Sequence, residues 1–372
     1  MRVVMISKAC VVAAYRKKLE ELARLGEGEM ELTLIVPPSW RDERGSLPLE
    51  RASPEGYEIV VEKMALNGHF HLSFYPGLGQ RLRQLRPDLV HIDEEPYNLA
   101  TFQAMRLAGS LGARAIFFTW QNLYRRYPPP FNWVESYNFR HAACAIAGSR
   151  EAEEVLRRKG YKGTVAVIPQ FGVDPEVFRP RPRAEKGPFS IGYVGRLVEE
   201  KGVDLILRAV AGLDGEWRLR ILGQGPERAK LGKLAARLNI EKRVTFEPAL
   251  PSKEMPGFLS GLDVLVLPSR TRPNWKEQFG RVLVEAMACG VPVIGSDSGE
   301  IPHVIGEAGL VFPEEDVEGL RAFLQDLMKN PARLAELSRK GRARVLAHYT
   351  QRKIASATYR VYLACLRESQ RF

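Results

Sequence analysis

WKEQFGRVLVEAMACGVPVIGSDSGEIPHVI, residues 275–305, decides the reading of this chain. A loop carrying Glu277, Phe279 and Gly280 leads into an apolar-periodic segment, 281–289, that predicts a helix. Gly290 and Pro292 stop that helix. Val293, Ile294 and Gly295 then read as a short strand and 296–299 as a turn. Glu277 and Glu285 stand eight positions apart, a little over two helical turns, so both can address one ligand from the start and the body of the helix. Phe279 and Gly280 put backbone N–H groups at the helix N-terminus, a natural seat for anionic oxygen. An amphipathic helix with two solvated glutamates would satisfy the same spacing.

The whole composite decides between the two. Glu277 to Glu285 resembles the Glu-x7-Glu motif of retaining nucleotide-sugar glycosyltransferases of family four (glycosyl transferases group 1, GT-B fold). The flanking residues are similar too: Glu-x-Phe-Gly at 277–280, Glu285-Ala286-Met287-Ala288-Cys289-Gly290-Val291-Pro292-Val293, and Gly299-Glu300-Ile301-Pro302-His303-Val304-Ile305. The resemblance implies an α/β fold of two Rossmann-like β/α/β domains facing each other across a cleft. It also implies a nucleotide-diphosphate sugar as donor.

Composition agrees with that class. The 372 residues suit two domains. A hydrophobic content of 45% with 27% charged residues describes a soluble globular chain, and no apolar run has the length of a membrane span. The opening MRVVMISKACVVAAYRKK reads as a buried strand and loop rather than a leader, because Lys8 breaks its apolar stretch. Cys10, Cys144, Cys289 and Cys365 are scattered without metal spacing and read as buried thiols of a reducing cytoplasm. The histidines offer no metal cluster, although His69 and His71 would share one face of a strand. A net charge of +11 calls for an anionic partner: nucleic acid, a membrane surface or a phosphorylated ligand. No nucleic-acid motif is present, so nucleic acid is not expected.

Taken in order, 2–7, 13–25 and 31–36 read as strand, helix and strand, a Rossmann-like opening. Its first turn, 7–11, holds no glycine, so a cofactor pyrophosphate there is not expected; relatives often carry a glycine pair in this loop, near the acceptor. Residues 57–64 and 69–74 read as strands around an Asn67-Gly68 hairpin, followed by a helix at 77–85, a strand at 88–93, a helix at 99–111 and a strand at 114–120. Glu94 and Glu95 follow one strand, Gln121 and Asn122 the other, and ligands of open α/β sheets bind beyond such ends. A solvated acidic loop is the plainer reading of the glutamates. In the family a histidine often occupies the second loop; here Gln121 and Asn122 do, and no catalytic histidine is assigned.

Tyr124, Arg125, Arg126 and Tyr127, together with an aromatic helix over 131–141, form a basic, aromatic patch. Rings in the core with solvated arginines is the preferred reading; a surface resting on anionic lipid is the alternative, and with it a peripheral contact at the inner membrane face. Strand, helix and strand follow at 143–147, 149–159 and 164–168, with Ser149 as N-cap. The aperiodic Pro/Arg segment from Phe178 through Arg183 to Pro188 is the best linker. It divides the chain into an N-terminal acceptor domain, 1–175, and a C-terminal donor domain, 186–349. The family resemblance has an end helix, 350–372, packing back onto the first domain.

The second series opens with a strand at 189–194 and then Gly195, Arg196 and, after a short interval, Lys201-Gly202. This matches the family's Gly-Arg-Leu-x-x-x-Lys-Gly in full. In a strand-to-helix turn Arg196 can fork onto two oxygens of a diphosphate and Lys201 can add a point charge. Gly223-Gln224-Gly225 nearly matches a dinucleotide fingerprint, but Arg228 stands where the third glycine belongs, so a nicotinamide cofactor is rejected.

The resemblance thus implies a metal-independent, cytoplasmic hexosyltransferase-type enzyme with no cofactor beyond its substrate. Arg196 and Lys201 would stabilise charge on the leaving diphosphate. Glu277 would orient the donor sugar with the N–H groups of Phe279 and Gly280, Glu285 would hold ribose hydroxyls, and Gly195 would line the donor site. An acceptor of unspecified kind would enter near Glu94, Glu95, Gln121 and Asn122. A non-catalytic sugar-nucleotide or glycan-binding relative of the same fold is the alternative.

Overall fold

The computed structural model describes residues 1–42, 45–182 and 187–367. The Arg183 end of the expected linker, the expected domain start at 186 and positions 368–372 of the end helix lie outside them. The chain forms two compact units, one of residues 1–172 with 351–372, the other of residues 173–350. The division falls ahead of the Pro/Arg segment, and Phe178 is buried in the second unit, where its carbonyl accepts from Arg342.

The first unit is built on short runs of branched and apolar residues. Such runs, buried on both faces, are what a fully covered parallel sheet requires. Its strands are β1 (Arg2–Ile6), β2 (Glu31–Val36), β3 (Ser39–Asp42), β4 (Gly45–Pro48), β5 (Glu58–Val61), β6 (Leu89–Ile92), β7 (Arg114–Thr119), β8 (Cys144–Ala147) and β9 (Thr164–Val167). Seven of them make a parallel sheet in the order β5-β2-β1-β6-β7-β8-β9; β3 and β4 form a separate antiparallel ribbon. The order reverses at β1, which pairs with both β2 and β6. Helices α1 (Lys17–Leu25), α2 (Leu78–Leu85), α3 (Leu99–Ser110), α4 (Phe131–His141) and α5 (Arg150–Arg158) cover the sheet. Ser149 caps α5 by accepting from the Ala152 N–H at 3.2 Å. The last helix, Gln351–Arg367, also packs on this unit. Its Tyr362 is fully buried and its hydroxyl meets Nδ1 of His91 at 2.7 Å. His91 is therefore a core residue, and burial pushes its pKa down to about 3. All four cysteines are buried free thiols.

Two expectations for this unit fail. Residues 13–16 form a 3-10 turn, and the α-helix begins only at Lys17. Residues 69–74 are not a strand: a lone bridge joins Ala65 to Phe74. The cause is Asn67, whose amide donates to the Ser39 carbonyl at 2.8 Å and accepts from the Arg41 N–H at 3.0 Å. That ties the Asn67-Gly68 turn to the β3–β4 ribbon instead of closing a hairpin, so His69 and His71 share no strand face.

The second unit repeats the winding. Its strands are β10 (Phe189–Val194), β11 (Trp217–Leu222), β12 (Val244–Glu247), β13 (Val264–Leu267), β14 (Val293–Ser296) and β15 (Leu310–Phe312). All are parallel, in the order β12-β11-β10-β13-β14-β15. Here the reversal falls at β10, between β11 and β13. The helices are α6 (Val203–Val210), α7 (Arg228–Arg237), α8 (Met255–Ser260), α9 (Arg281–Ala288), α10 (Ile301–Ile305), α11 (Val317–Lys329) and α12 (Pro331–His348). Asp316 caps α11, and Asn330 caps α12 ahead of Pro331 at its first position.

Candidate active site

In an open parallel sheet the crevice beyond the strand ends at the order reversal is the natural ligand site. In the second unit the loop after β10 leaves at that point, and Gly195, Arg196 and Lys201 lie on it. The neighbouring loop after β13 carries Ser269, Arg270, Trp275 and Glu277. The two loops meet through charge: Lys201 Nζ lies 2.5 Å from Glu277 Oε2, with both side chains largely buried. Ser269 Oγ donates to the same carboxylate oxygen at 2.8 Å, and the Trp275 ring lies 4.7 Å from the Lys201 ammonium. Ser269 and Trp275 escaped the sequence reading, because a lone serine or tryptophan in a loop carries no periodic signal.

Arg196 differs from its companion. Its side chain is 48% exposed, with Glu200 at 3.9 Å. The backbone beneath it is rigidly placed. Tyr193 donates its hydroxyl to the Arg196 carbonyl at 2.8 Å, and the Leu197 N–H donates to the Gln224 carbonyl at 2.8 Å. Gly223 and Gly225 make this contact possible, since a Cβ on either would fall 1.9 Å from the Gly195 carbonyl oxygen or 2.2 Å from that of Leu197. The near-fingerprint Gly223-Gln224-Gly225 is therefore backbone support for the turn that carries Arg196.

Glu277 is held from a third loop, after β14. The Glu300 N–H donates to its carbonyl at 3.2 Å. Gly299 has φ +56° and would place a Cβ 2.0 Å from that carbonyl oxygen, so the left-handed conformation and the close approach both require glycine. Gly280 is the N-cap of α9, and Phe279 is buried with its ring centroid 5.8 Å from that of Tyr349. Glu285 is buried one turn into α9 and pairs with Arg281 at 2.8 Å. Burial, opposed by Arg281, holds its carboxyl above the ordinary range.

Arg270, also unflagged by the sequence, fastens the Lys201 turn. It is buried and forks onto both oxygens of Asp204 (2.6 and 2.9 Å) and of Glu315 (2.7 and 3.1 Å). It also donates to the Glu199 carbonyl at 3.1 Å and, through its own N–H, to that of Glu200 at 2.7 Å. Burial is the largest influence on Asp204 and pushes its carboxyl up. The Arg270 hydrogen bond and charge outweigh it and hold the carboxyl below its ordinary value of 3.8. Arg270→Met is expected to lower stability by about 2 kcal/mol, because its two carboxylate partners keep some water. The wild-type advantage is full above the ordinary carboxyl range and shrinks as pH falls below about 3.8. Chemical denaturation of both proteins at neutral and acid pH measures this.

In the first unit Glu94, Glu95, Gln121 and Asn122 do lie at strand ends, but none is a freely solvated loop residue. Glu94 is buried and pairs with the Lys8 ammonium. That ammonium also lies 4.7 Å from the Trp40 ring and 4.3 Å from the Phe70 ring. Glu95 is partly exposed as a residue, but its carboxyl is enclosed and accepts from Thr119 Oγ1 at 2.6 Å and the Trp120 N–H at 2.8 Å. Burial pushes its pKa up to about 7 against those bonds. Gln121 accepts from Lys159 at 2.8 Å, and Lys159 pairs with Glu135 at 2.5 Å. Asn122 donates to Glu151 at 3.3 Å. His71 adds a feature the sequence did not reveal, lying within 6 Å of the Tyr97, Tyr127 and Phe131 rings. In the basic, aromatic patch Phe139 stacks on Phe117 in the core, while Trp133 is 66% exposed.

Two parallel, doubly wound α/β units in one chain define the GT-B architecture. Residues 174–344 match the family model described as glycosyl transferases group 1, and residues 12–170 match the glycosyl transferase 4-like domain. The chain belongs to the group 1 glycosyltransferases. It is 33% identical over 187 residues to a GDP-mannose-dependent alpha-(1-6)-phosphatidylinositol monomannoside mannosyltransferase of Mycolicibacterium smegmatis, covering 46% of this chain and 49% of that one. It is 31% identical over 246 residues to a D-inositol 3-phosphate glycosyltransferase of Streptomyces bingchenggensis, covering 59% and 52%. The chain thus spans about half the length of the curated relatives it matches. Among solved structures, sucrose-phosphate synthase of Thermosynechococcus elongatus has a TM-score of 0.75 at 22% identity, covering 98% of both chains. Anabaena HepE in complex with UDP has a TM-score of 0.72 at 16% identity, covering 98% of this chain and all of that one.

Proposed function

We propose that this chain is a retaining glycosyltransferase that moves a sugar from a nucleotide-diphosphate sugar to an acceptor hydroxyl without a metal ion. The observation that carries the reading is the junction of Lys201 and Ser269 with Glu277, with Arg196 on the same loop as Lys201, at the order reversal of the second sheet. In the reaction the bond from the anomeric carbon to the diphosphate breaks and its electron pair goes to the diphosphate oxygen. The acceptor oxygen bonds to the anomeric carbon, with its hydrogen lost as a proton. Arg196 and Lys201 stabilise the charge growing on the leaving group. Glu277 takes hydrogen bonds from the sugar, Phe279 and Gly280 present N–H groups at the start of α9, and Glu285 serves the ribose. Gly195 lines the donor site. The first unit receives the acceptor near Glu94, Glu95, Gln121 and Asn122, in a cytoplasmic setting.

The relative named for GDP-mannose and the neighbour solved with UDP support a nucleotide-sugar donor. The test is thermal unfolding with UDP, GDP, ADP or TDP, each with and without a chelator. A ligand at about a hundred times its dissociation constant adds roughly 2.7 kcal/mol, a readily seen shift in Tm. One nucleotide is expected to stabilise the chain equally in both conditions. Stabilisation abolished by the chelator would remove metal independence, and no shift from any nucleotide would leave the donor site without support. Retention is checked separately by the anomeric configuration of the first product formed.

A further inference from the structure

A groove of about 580 Å³ runs along the first unit between α2 and α3. Phe74, Leu99, Phe102 and Leu107 give it apolar walls, and Arg106 stands at its lining with an exposed side chain. The loop before the groove is fastened to the start of α3 by the Leu99 N–H, which donates to the His71 carbonyl at 2.9 Å. That loop holds Leu66, Phe70 and Leu72 exposed, at 51%, 48% and 41%. On the other side Phe102 meets the ring of Tyr137 edge-on at 4.9 Å, and one turn earlier on α4 stands exposed Trp133. Exposed apolar residues clustered around an apolar groove mark an interaction site.

Charge selects the partner. Over residues 62–150 the acids are Glu62, Asp88, Asp93, Glu94, Glu95 and Glu135, and the Glu62 carboxylate faces Arg81 at 3.6 Å. Asp93, Glu94 and Glu135 are buried, the Glu95 carboxyl is enclosed by Thr119 and Trp120, and Asp88 faces Arg2 at 3.8 Å. Exposed cations flank the groove instead: Arg83 on α2, Arg106 on α3 and Arg140 on α4, the helix packed against α3. Among the described residues no helix is long and apolar enough to cross a membrane. An apolar slot ringed by cations and protruding rings fits an interfacial docking face.

We propose that this face docks on an anionic phospholipid surface, with one acyl chain entering the α2–α3 groove and Arg106 at its phosphate. The proposal goes beyond transfer itself and stands or falls separately from it. The full chain is sedimented with vesicles of phosphatidylcholine alone or mixed with phosphatidylglycerol. It is expected to follow the mixed vesicles and to leave them as salt rises from about 0.1 to 1 M, where the screening length falls from roughly 10 to 3 Å. Each basic residue near such a surface contributes about a fivefold change in partitioning, so Arg106→Glu, a change of two charges, is expected to lower it roughly thirtyfold. The exposed position leaves folding intact, which its melting curve checks. Phosphatidylglycerol bearing a photoreactive acyl chain locates the contact, with labels expected on residues 74–79 and 99–110. Equal retention on both vesicle types, retention on neither, indifference to Arg106→Glu, or labels elsewhere in the chain would each overturn the proposal. Nucleotide-induced stabilisation reports the donor site independently, so loss of vesicle binding with that shift intact overturns the docking face alone.

Discussion

Lys201→Ala is expected to lower donor turnover at least about a hundredfold, the scale of losing one preorganised donor to a developing oxyanion. Donor hydrolysis supplies the assay, since it needs no knowledge of the acceptor. The same change should also weaken the fold. Lys201 and Glu277 are largely buried, with side chains 15% and 11% exposed, and removing one partner of such a pair strands the other charge at a cost of about 3 kcal/mol. A slow and unstable variant would by itself be ambiguous, and Arg196 resolves the ambiguity. Its side chain is 48% exposed, and Glu200 lies 3.9 Å from it, a type of surface pair worth about 0–1 kcal/mol. Arg196→Ala should therefore cut turnover on a similar scale while leaving Tm nearly unchanged. Wild-type turnover in both variants would remove the diphosphate clamp.

What the sequence reveals of this site follows from what backbone periodicity can encode. The helix-strand pair after Glu277 is legible because apolar spacing and the stops at Gly290 and Pro292 are local signals; the structure places α9 at Arg281–Ala288 and β14 at Val293–Ser296. The turn holding Arg196 and Lys201 is legible as a motif, but the reason for its shape is not. That reason lies in Gly223 and Gly225, whose missing side chains let one turn rest on another. Arg270 is invisible for the same reason: its partners Asp204 and Glu315 are 66 and 45 positions away. The strand expected at 69–74 failed because Asn67 found acceptor and donor groups near Ser39, a long-range bond no local propensity registers. Glu94 and Glu95 were legible in position but not in burial, since the burial depends on Lys8, Thr119 and Trp120 arriving from other strands.

Glu277→Gln separates the sugar from the nucleotide. The amide keeps the size of the side chain and an oxygen that can accept from Ser269, which donates to the carboxylate at 2.8 Å. It loses the negative charge, and with it the charge-assisted bonds that sugar hydroxyls would make, each worth about 1.5–3 kcal/mol. Turnover is expected to fall roughly ten- to a hundredfold on that ground. The nucleoside diphosphate should respond differently. In the free protein the Lys201 ammonium is engaged by Glu277 at 2.5 Å, so a diphosphate competes with that carboxylate for it. Neutralising the carboxylate leaves the cation for the phosphate oxygens, and Kd for the diphosphate is expected to stay level or tighten. Kinetics with the intact donor and calorimetry with the bare diphosphate measure the two quantities. A parallel loss of both would assign Glu277 to the nucleotide, whereas loss of turnover with equal or tighter diphosphate binding would place its charge on the sugar, where the bond to the leaving group breaks.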